Sequence, residues 1–203
     1  MSGLPAPSCE VDQWVLAELG KRQRSGETVS ALLVGIGAED QAVRMADAGA
    51  RVLLFSDRDP AEHLNIVRQP LASLASLHTA EAPLPLQPFD LILSQRSLST
   101  LRYDEALIAV RRFLQRLKIG GKLFISLYGI HSDLGDGYPD GSKLVGERLA
   151  PVAPEIAERY DLRAPLCLYS ERNLFALLME AGGVVLKTST SALGHVRGVA
   201  ARI

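Results

Sequence analysis

The stretch Ala31-Leu-Leu-Val-Gly-Ile-Gly-Ala-Glu-Asp40, together with Arg51-Val-Leu-Leu-Phe-Ser-Asp-Arg-Asp-Pro60 beyond it, decides the fold. Ala31 to Val34 is a short apolar run that breaks at Gly35 and Gly37, and a helix-length segment rich in alanine follows. That is the pattern of a buried parallel strand turning into a helix. Lacking a Cβ, the glycines let the chain turn tightly and let a ligand approach the main chain, while the helix behind them offers free N–H groups. A second apolar strand, Arg51 to Ser56, ends at Asp57. An acid about twenty positions past such a turn supplies two acceptor oxygens that match a vicinal diol. The stretch predicts a nucleoside-binding β-α-β unit.

Outward from this unit, strand and helix signals alternate. Towards the amino end, Val11, Val15 and Leu19 repeat every four residues beside Trp14, which predicts an amphipathic helix ending at Gly20 that packs on the sheet or covers a cleft. Residues 1–8, with two prolines, read as a loose lead-in. Past the glycine turn, Ala42, Val43 and Ala46 form a helical stripe that Gly49 stops. Pro60 then predicts the first turn of a short helix from Ala61 to Val67, and Ala72 to His78 a third strand. Glu81-Ala-Pro-Leu-Pro-Leu-Gln-Pro88 is a connection that is neither helix nor central strand.

Phe89-Asp-Leu-Ile-Leu-Ser-Gln95 predicts a fourth strand that puts Ser94 and Gln95 at the carboxyl edge of the sheet, where open α/β folds bind ligands. Leu107, Val110, Leu114 and Leu117 share one helix face, Gly120-Gly121 ends that helix, and Lys122 to Leu127 is a fifth strand. Residues 128–169 are irregular, with Asp-Gly twice, four prolines and a short helix predicted from Pro154 to Tyr160. A long excursion from a strand's carboxyl end predicts a cap over the site. Ser170 then caps a helix carrying Leu174, Leu177, Leu178 and Ala181, and Val184–Thr190 with Val196–Ile203 form a closing antiparallel hairpin.

Size and composition set limits on function. A chain of 203 residues fits one domain, 1–203, with 1–30 as amino-terminal helix and lead-in. Its 22 basic and 23 acidic residues leave a formal charge of −1, which disfavours nucleic acid as a partner. No apolar run is long enough for a membrane span and no secretory signal opens the chain, so a cytoplasmic protein is expected. Cys9 and Cys167 stand far apart, and His63, His78, His131 and His195 are scattered singly, so neither a disulfide framework nor a metal site is expected.

The order of Leu32-Leu-Val-Gly-Ile-Gly37, an acid-ended second strand, Phe89-Asp-Leu-Ile-Leu-Ser94, Leu117-Lys-Ile-Gly-Gly-Lys-Leu-Phe-Ile-Ser126 and a terminal hairpin resembles the class I S-adenosylmethionine-dependent methyltransferases. The resemblance covers residues 30–127 and 170–203. It implies a Rossmann-like, doubly wound α/β sheet of about seven strands, mostly parallel, with an antiparallel hairpin at the carboxyl end. It also implies S-adenosylmethionine as cofactor, a small-molecule acceptor as partner, and admits a homodimer. On that footing Gly35, Ile36 and Gly37 approach the methionine part. Asp57, with Arg58 beside it, binds the ribose, Asp59 replacing Asp57 if the strand ends later. Ala80 and Glu81 meet the adenine, and Ser94 lies near the methyl group.

The first motif departs from the family's acid-x-Gly-x-Gly-x-Gly: Leu33 stands where the acid is expected and Glu39 where the third glycine is. Glu39, like Asp40, either repels the cofactor's carboxylate or bonds its ammonium group. Methyl transfer from a sulfonium needs little beyond alignment, so the lack of an evident catalytic dyad is no objection. Where the acceptor must lose a proton, His131 and Tyr128 are the candidate bases, and Tyr138, Asp133 and Asp136 candidate pocket residues. Ser94-Gln-Arg-Ser97 replaces the Asn-Pro-Pro-Tyr of relatives that methylate amino groups of bases. Two alternatives stand beside methyl transfer. One is a catalytically inactive relative serving as a binding or assembly module. The other is a nicotinamide-dependent oxidoreductase using Gly35-x-Gly37-x-x-Asp40, which lacks that motif's last glycine.

Overall fold

The computed structural model describes residues 10–35, 37–56, 58–69 and 88–203. Its elements in chain order are α1 (Glu10–Arg24), β1 (Ser30–Gly35), α2 (Glu39–Asp47), β2 (Arg51–Phe55), β3 (Ile66–Gln69), β4 (Phe89–Gln95), α3 (Tyr103–Arg116), β5 (Leu117–Leu127), α4 (Pro154–Arg159), α5 (Glu171–Glu180), β6 (Val184–Thr190) and β7 (Val196–Ala201). The seven strands form one sheet in the order β3-β2-β1-β4-β5-β7-β6. Strands β3, β2, β1, β4 and β5 pair in parallel, and β7 is antiparallel to both of its neighbours. The doubly wound sheet and the closing hairpin expected from the sequence are both present.

The apolar strands are buried on both faces, and their alternation sorts them into two cores. Leu32, Val34, Ile92, Leu123 and Ile125 point to the layer of α3 and α5, where Val110, Phe113, Leu174 and Leu178 meet them. Ala31, Leu33, Leu91, Leu93 and Phe124 point the other way, to α1 and α2. In α1 the four-residue repeat Val11, Val15 and Leu19 is fully buried, each side chain contributing about 1.5–3 kcal/mol over exposure. Polar contacts fix this helix at both ends. Near its last turn Glu18 pairs with Lys122 at 2.7 Å and Arg22 donates to the Gly120 carbonyl at 2.7 Å. Near its first turn Asp12 accepts from Gln95 at 3.0 Å. The start of α1 therefore lies at the carboxyl edge of the sheet.

Local signals fix the helix ends elsewhere. Ser170 accepts from the Asn173 amide while the Asn173 side chain accepts from the Ser170 amide, the reciprocal capping box at the head of α5. At the head of α3 only one half of such a box forms, the Arg102 amide donating to the Glu105 carboxylate at 2.9 Å. Pro154 begins α4, as expected.

Several sequence expectations are corrected or fall outside the described residues. Helix α1 runs past Gly20, its expected end, to Arg24. No helix spans 61–67: residues 61–63 are irregular, Leu64 and Asn65 turn, and Ile66–Gln69 is the strand beside β2. The β-branched Ile66 and Val67 gain backbone partners there, a tertiary gain that overrides the helix-start signal of Pro60. The third strand thus falls at 66–69, and Ala72–His78 lies outside the described residues, as do the lead-in 1–8 and most of the 81–88 connection. Helix α3 stops at Arg116, and Leu117, although buried, is the first residue of β5, paired with Phe89. Segment 128–169 leaves the carboxyl end of β5 and carries its own small core of Tyr128, Leu134, Tyr138, Ala150, Val152, Leu166 and Leu168. Among the described residues no helix is long and apolar enough to cross a membrane.

Candidate functional site

The carboxyl edge of the sheet gathers the polar side chains that the apolar strands exclude. Registered neighbours across that edge are Gly35 on β1, Gln95 on β4, Ser126 on β5, Arg197 on β7 and Ser189 on β6. All five sit at or next to a strand's carboxyl-edge terminus, one row beyond the apolar core, and Gln95, Ser126 and Arg197 are buried. Two of them hold atoms without a hydrogen-bond partner among the described residues, Gln95 Oε1 and Ser126 Oγ. A buried polar atom left unpaired is costly. Both atoms lie at the edge where open α/β sheets carry their ligands.

The two glycines of the opening motif have different tasks. Gly35 has φ +133°, and a Cβ there would collide with the backbone carbonyl of Gln95. Its lack of a side chain serves the close approach of β4. Gly37 has φ +75°, the left-handed region, and no described residue lies within 4 Å of where its Cβ would be. That open main chain is the approach expected of a ligand turn. Ile36, between them, lies outside the described residues.

The anomalous residues of the motif are both accounted for. Leu33 is fully buried in the core beneath α1 and α2, so no carboxylate can stand there without replacing core packing. Glu39, the first residue of α2, is half-buried and accepts a hydrogen bond from the Ser56 hydroxyl at the tip of β2. Its carboxylate is turned across to the second strand, not over Gly37. The same Ser56 hydroxyl accepts from the Arg58 amide at 3.1 Å. Asp57, between them, is outside the described residues, as are Ala80 and Glu81. Asp59 is exposed and pairs with Arg68 at 2.6 Å, and Asp40 is exposed in the first turn of α2.

Asp12 is a polar residue that no motif marks in the chain. It is buried at the head of α1, accepts from Gln95 at 3.0 Å, and pairs with Arg44 of α2 at 3.2 Å, while its carbonyl accepts from Gln41 at 3.3 Å. It ties α1, α2 and β4 together beside Gly35. No periodicity marks such a residue, because its partners lie 29 to 83 positions away.

The residues named for the methyl end and the acceptor separate. Ser94 is fully buried on the α3 side, its hydroxyl 2.9 Å from that of Ser97. Tyr138 is buried in the 128–169 core and donates to the Leu166 carbonyl at 2.5 Å. Burial pushes its hydroxyl up to about 12. His131 is exposed, Asp136 is exposed, and Asp133 accepts from Tyr160 at 2.5 Å. Tyr128, by contrast, stands at the edge itself. The Arg96 guanidinium lies over its ring at 5.7 Å and the His195 ring meets it edge-on at 5.7 Å. Cys167 is buried, and burial pushes its thiol up to about 11, so it is no nucleophile. Among the described residues no group of three His, Cys, Asp or Glu side chains is placed to hold a metal ion.

No protein-family model matches the chain, and no curated protein sequence is similar to it. Solved structures are similar in fold. The methyltransferase CcbJ of Streptomyces caelestis superposes with a TM-score of 0.65 at 16% identity, over 100% of this chain and 94% of that one. The 1,6-didemethyltoxoflavin-N1-methyltransferase of Burkholderia thailandensis, with its substrate and S-adenosylhomocysteine bound, gives 0.60 at 14% identity over 100% and 92%. A Rhodobacter sphaeroides structure named for zinc-dependent alcohol dehydrogenases gives 0.66 at 14% over 98% and 92%. Identities this low carry the architecture and not the activity. The strand order, the antiparallel β7 and the glycine turn after β1 together give this chain the fold of the class I S-adenosylmethionine-dependent methyltransferases.

Proposed function

We propose that the chain binds S-adenosylmethionine at the carboxyl edge and transfers its methyl group to a small-molecule acceptor. The observation that carries this is the turn at Gly37, left-handed main chain with no described residue within 4 Å of a Cβ placed there, two residues past Gly35, whose partner on β4, Gln95, holds an unpartnered Oε1 among the described residues. Glu39 and Asp40 occupy the first turn of α2, where a purely anionic ligand would be repelled. When bound, the cofactor supplies an electrophilic methyl on sulfur. The chain's own part is to hold the two reactants in line and exclude water. Gly37 and Gln95 bound the cofactor's place, and Asp57, directly after Ser56, is its proposed ribose ligand. The solved structures of similar fold that hold S-adenosylhomocysteine, including a magnesium protoporphyrin IX methyltransferase from Synechocystis, support the same reading.

Titration calorimetry of the full chain with S-adenosylmethionine and S-adenosylhomocysteine tests it. Saturable heat with a dissociation constant on the order of micromolar, about −8 kcal/mol, is expected. No heat at hundreds of micromolar ligand would remove the enzyme and leave the second reading. That reading, a fold retained as a binding or assembly module, draws on Leu33 in the core and on Glu39 committed to Ser56.

A further inference from the structure

Three segments that are distant in sequence meet just beyond Gln95: Arg96 after β4, Tyr128 after β5 and His195 before β7. Arg96 has φ 58°, one of two non-glycine residues in the left-handed region among the described residues. Such a conformation costs about 1–2 kcal/mol and persists only where its surroundings impose it. Here the Arg96 amide donates to the Ser126 carbonyl at 2.9 Å and its carbonyl accepts from Ser99 at 3.2 Å, which turns the side chain out of the strand and over Tyr128.

The guanidinium is half-buried and has no carboxylate partner among the described residues, unlike Arg22, Arg44, Arg68, Arg159 and Arg163, each of which pairs with an acid. His195 completes the cluster. Its Nδ1 is buried without a partner among the described residues, although the backbone around it is fixed. The His195 amide donates to Ser191 Oγ at 3.1 Å, and the β6–β7 turn seats on residues 129–132 so closely that a Cβ on Gly129 would strike the Gly194 carbonyl. An arginine without an acid beside an imidazole nitrogen without a partner among the described residues, both held by strained or close-packed backbone, is an arrangement of donors suited to an anion.

We infer that Arg96, with Tyr128 and His195, forms the acceptor subsite and takes a carboxylate of the acceptor, the guanidinium pairing with its oxygens and the His195 ring N–H donating to it. The inference rests on the methyltransferase reading for the word acceptor, not for the anion. The charged and titratable groups facing His195 are Arg96, Tyr128 and Asp133.

The test uses the full chain with labelled histidine, benzoate as the carboxylate probe and benzamide as its neutral counterpart, His195 being identified by the loss of its signal in His195→Asn. Benzoate should shift the His195 ring resonances saturably and raise the pH at which they titrate, while benzamide at the same concentrations should not. Arg96→Asn, in which asparagine tolerates the left-handed backbone, should weaken benzoate about tenfold or more, the loss of a charge-assisted pair. Arg96→Lys should recover part of it. S-adenosylhomocysteine affinity, read separately by calorimetry, should change less than about twofold in either variant. Unmoved His195 signals, an equal response to benzamide, or undiminished benzoate affinity in Arg96→Asn overturns the subsite. Absence of S-adenosylhomocysteine heat together with a normal benzoate response would instead leave the anion site standing and remove the methyltransferase reading.

Discussion

Alanine at Gly37 and at Gly35 should fail in opposite ways, because the structure assigns the two glycines different neighbours. At Gly37, φ is +75° and no atom of the described residues lies within 4 Å of the added Cβ, so the folding cost is taken as the left-handed backbone alone. That is about 1–2 kcal/mol, or about 2–8 °C in melting temperature for a domain of this size. The same strain is present with and without ligand, so it cancels from the dissociation constant. Only a steric clash with bound ligand can appear there. If the cofactor rests on this main chain, Gly37→Ala weakens S-adenosylhomocysteine about tenfold or more, equivalent to about 1.4 kcal/mol. At Gly35 the φ of +133° belongs to glycine, and the Cβ overlaps the Gln95 carbonyl. Strain of about 1–3 kcal/mol then adds to backbone overlap of about 1–3 kcal/mol, so Gly35→Ala should lose about 4–24 °C. Thermal melts and calorimetry on both variants separate the cases. Gly37→Ala binding within about twofold of wild type would refute the proposed ligand position, and Gly35→Ala melting with wild type would refute the close approach of β1 and β4.

Other expectations follow from single groups. Burial alone would raise the Asp90 carboxyl, but the Lys118 ammonium at 2.9 Å and the Ser30 amide at 2.8 Å outweigh it and hold it below the usual carboxylate range. Stability from Asp90 is therefore present above the unfolded carboxylate range and lost as pH falls through the depressed folded value. Asp90→Asn should cost about 1.5–3 kcal/mol in urea unfolding at pH 7 and should show a shallower acid dependence. Burial first, and the Arg96 charge second, depress the His195 imidazole, with Asp133 opposing. The unfolded chain then binds more protons just below about pH 6.5. Stability should fall as pH drops from there toward the folded value, and His195→Asn should flatten that part of the profile. Ser170→Ala removes one half of the α5 capping box and should cost about 1 kcal/mol, read as about 2–4 °C. In a Cys9→Ser background the folded protein should react with a thiol reagent at pH 8 only as fast as it unfolds, since Cys167 is buried with its thiol pushed up to about 11.

Much of the sheet was legible because its signals are local. Leu32 to Val34, Leu91 to Leu93 and Leu123 to Ile125 are apolar runs ended by glycine or serine, and Val11, Val15 and Leu19 repeat at helical spacing. The cap of α5 was legible for the same reason, since Ser170 and Asn173 lie three apart. The misplaced third strand shows where local reading stops. Ile66–Gln69 is a strand because β2 offers it backbone partners, and the preceding proline carries no information about that.

The site divided along the same line. Sequence alone determined that glycines follow β1, that polar residues end β4, and that an irregular segment follows β5, because each depends on steric limits or apolar periodicity within a few residues. Tertiary structure decided that Gly35 serves strand packing while Gly37 lies open, that Glu39 turns to Ser56, and that Tyr138 belongs to a small core. It also decided that Asp12 reaches Gln95 and that Arg96, Tyr128 and His195 meet. A hydrogen bond or ring contact between residues tens of positions apart leaves no periodic trace in the chain, because only the closed sheet brings those residues together.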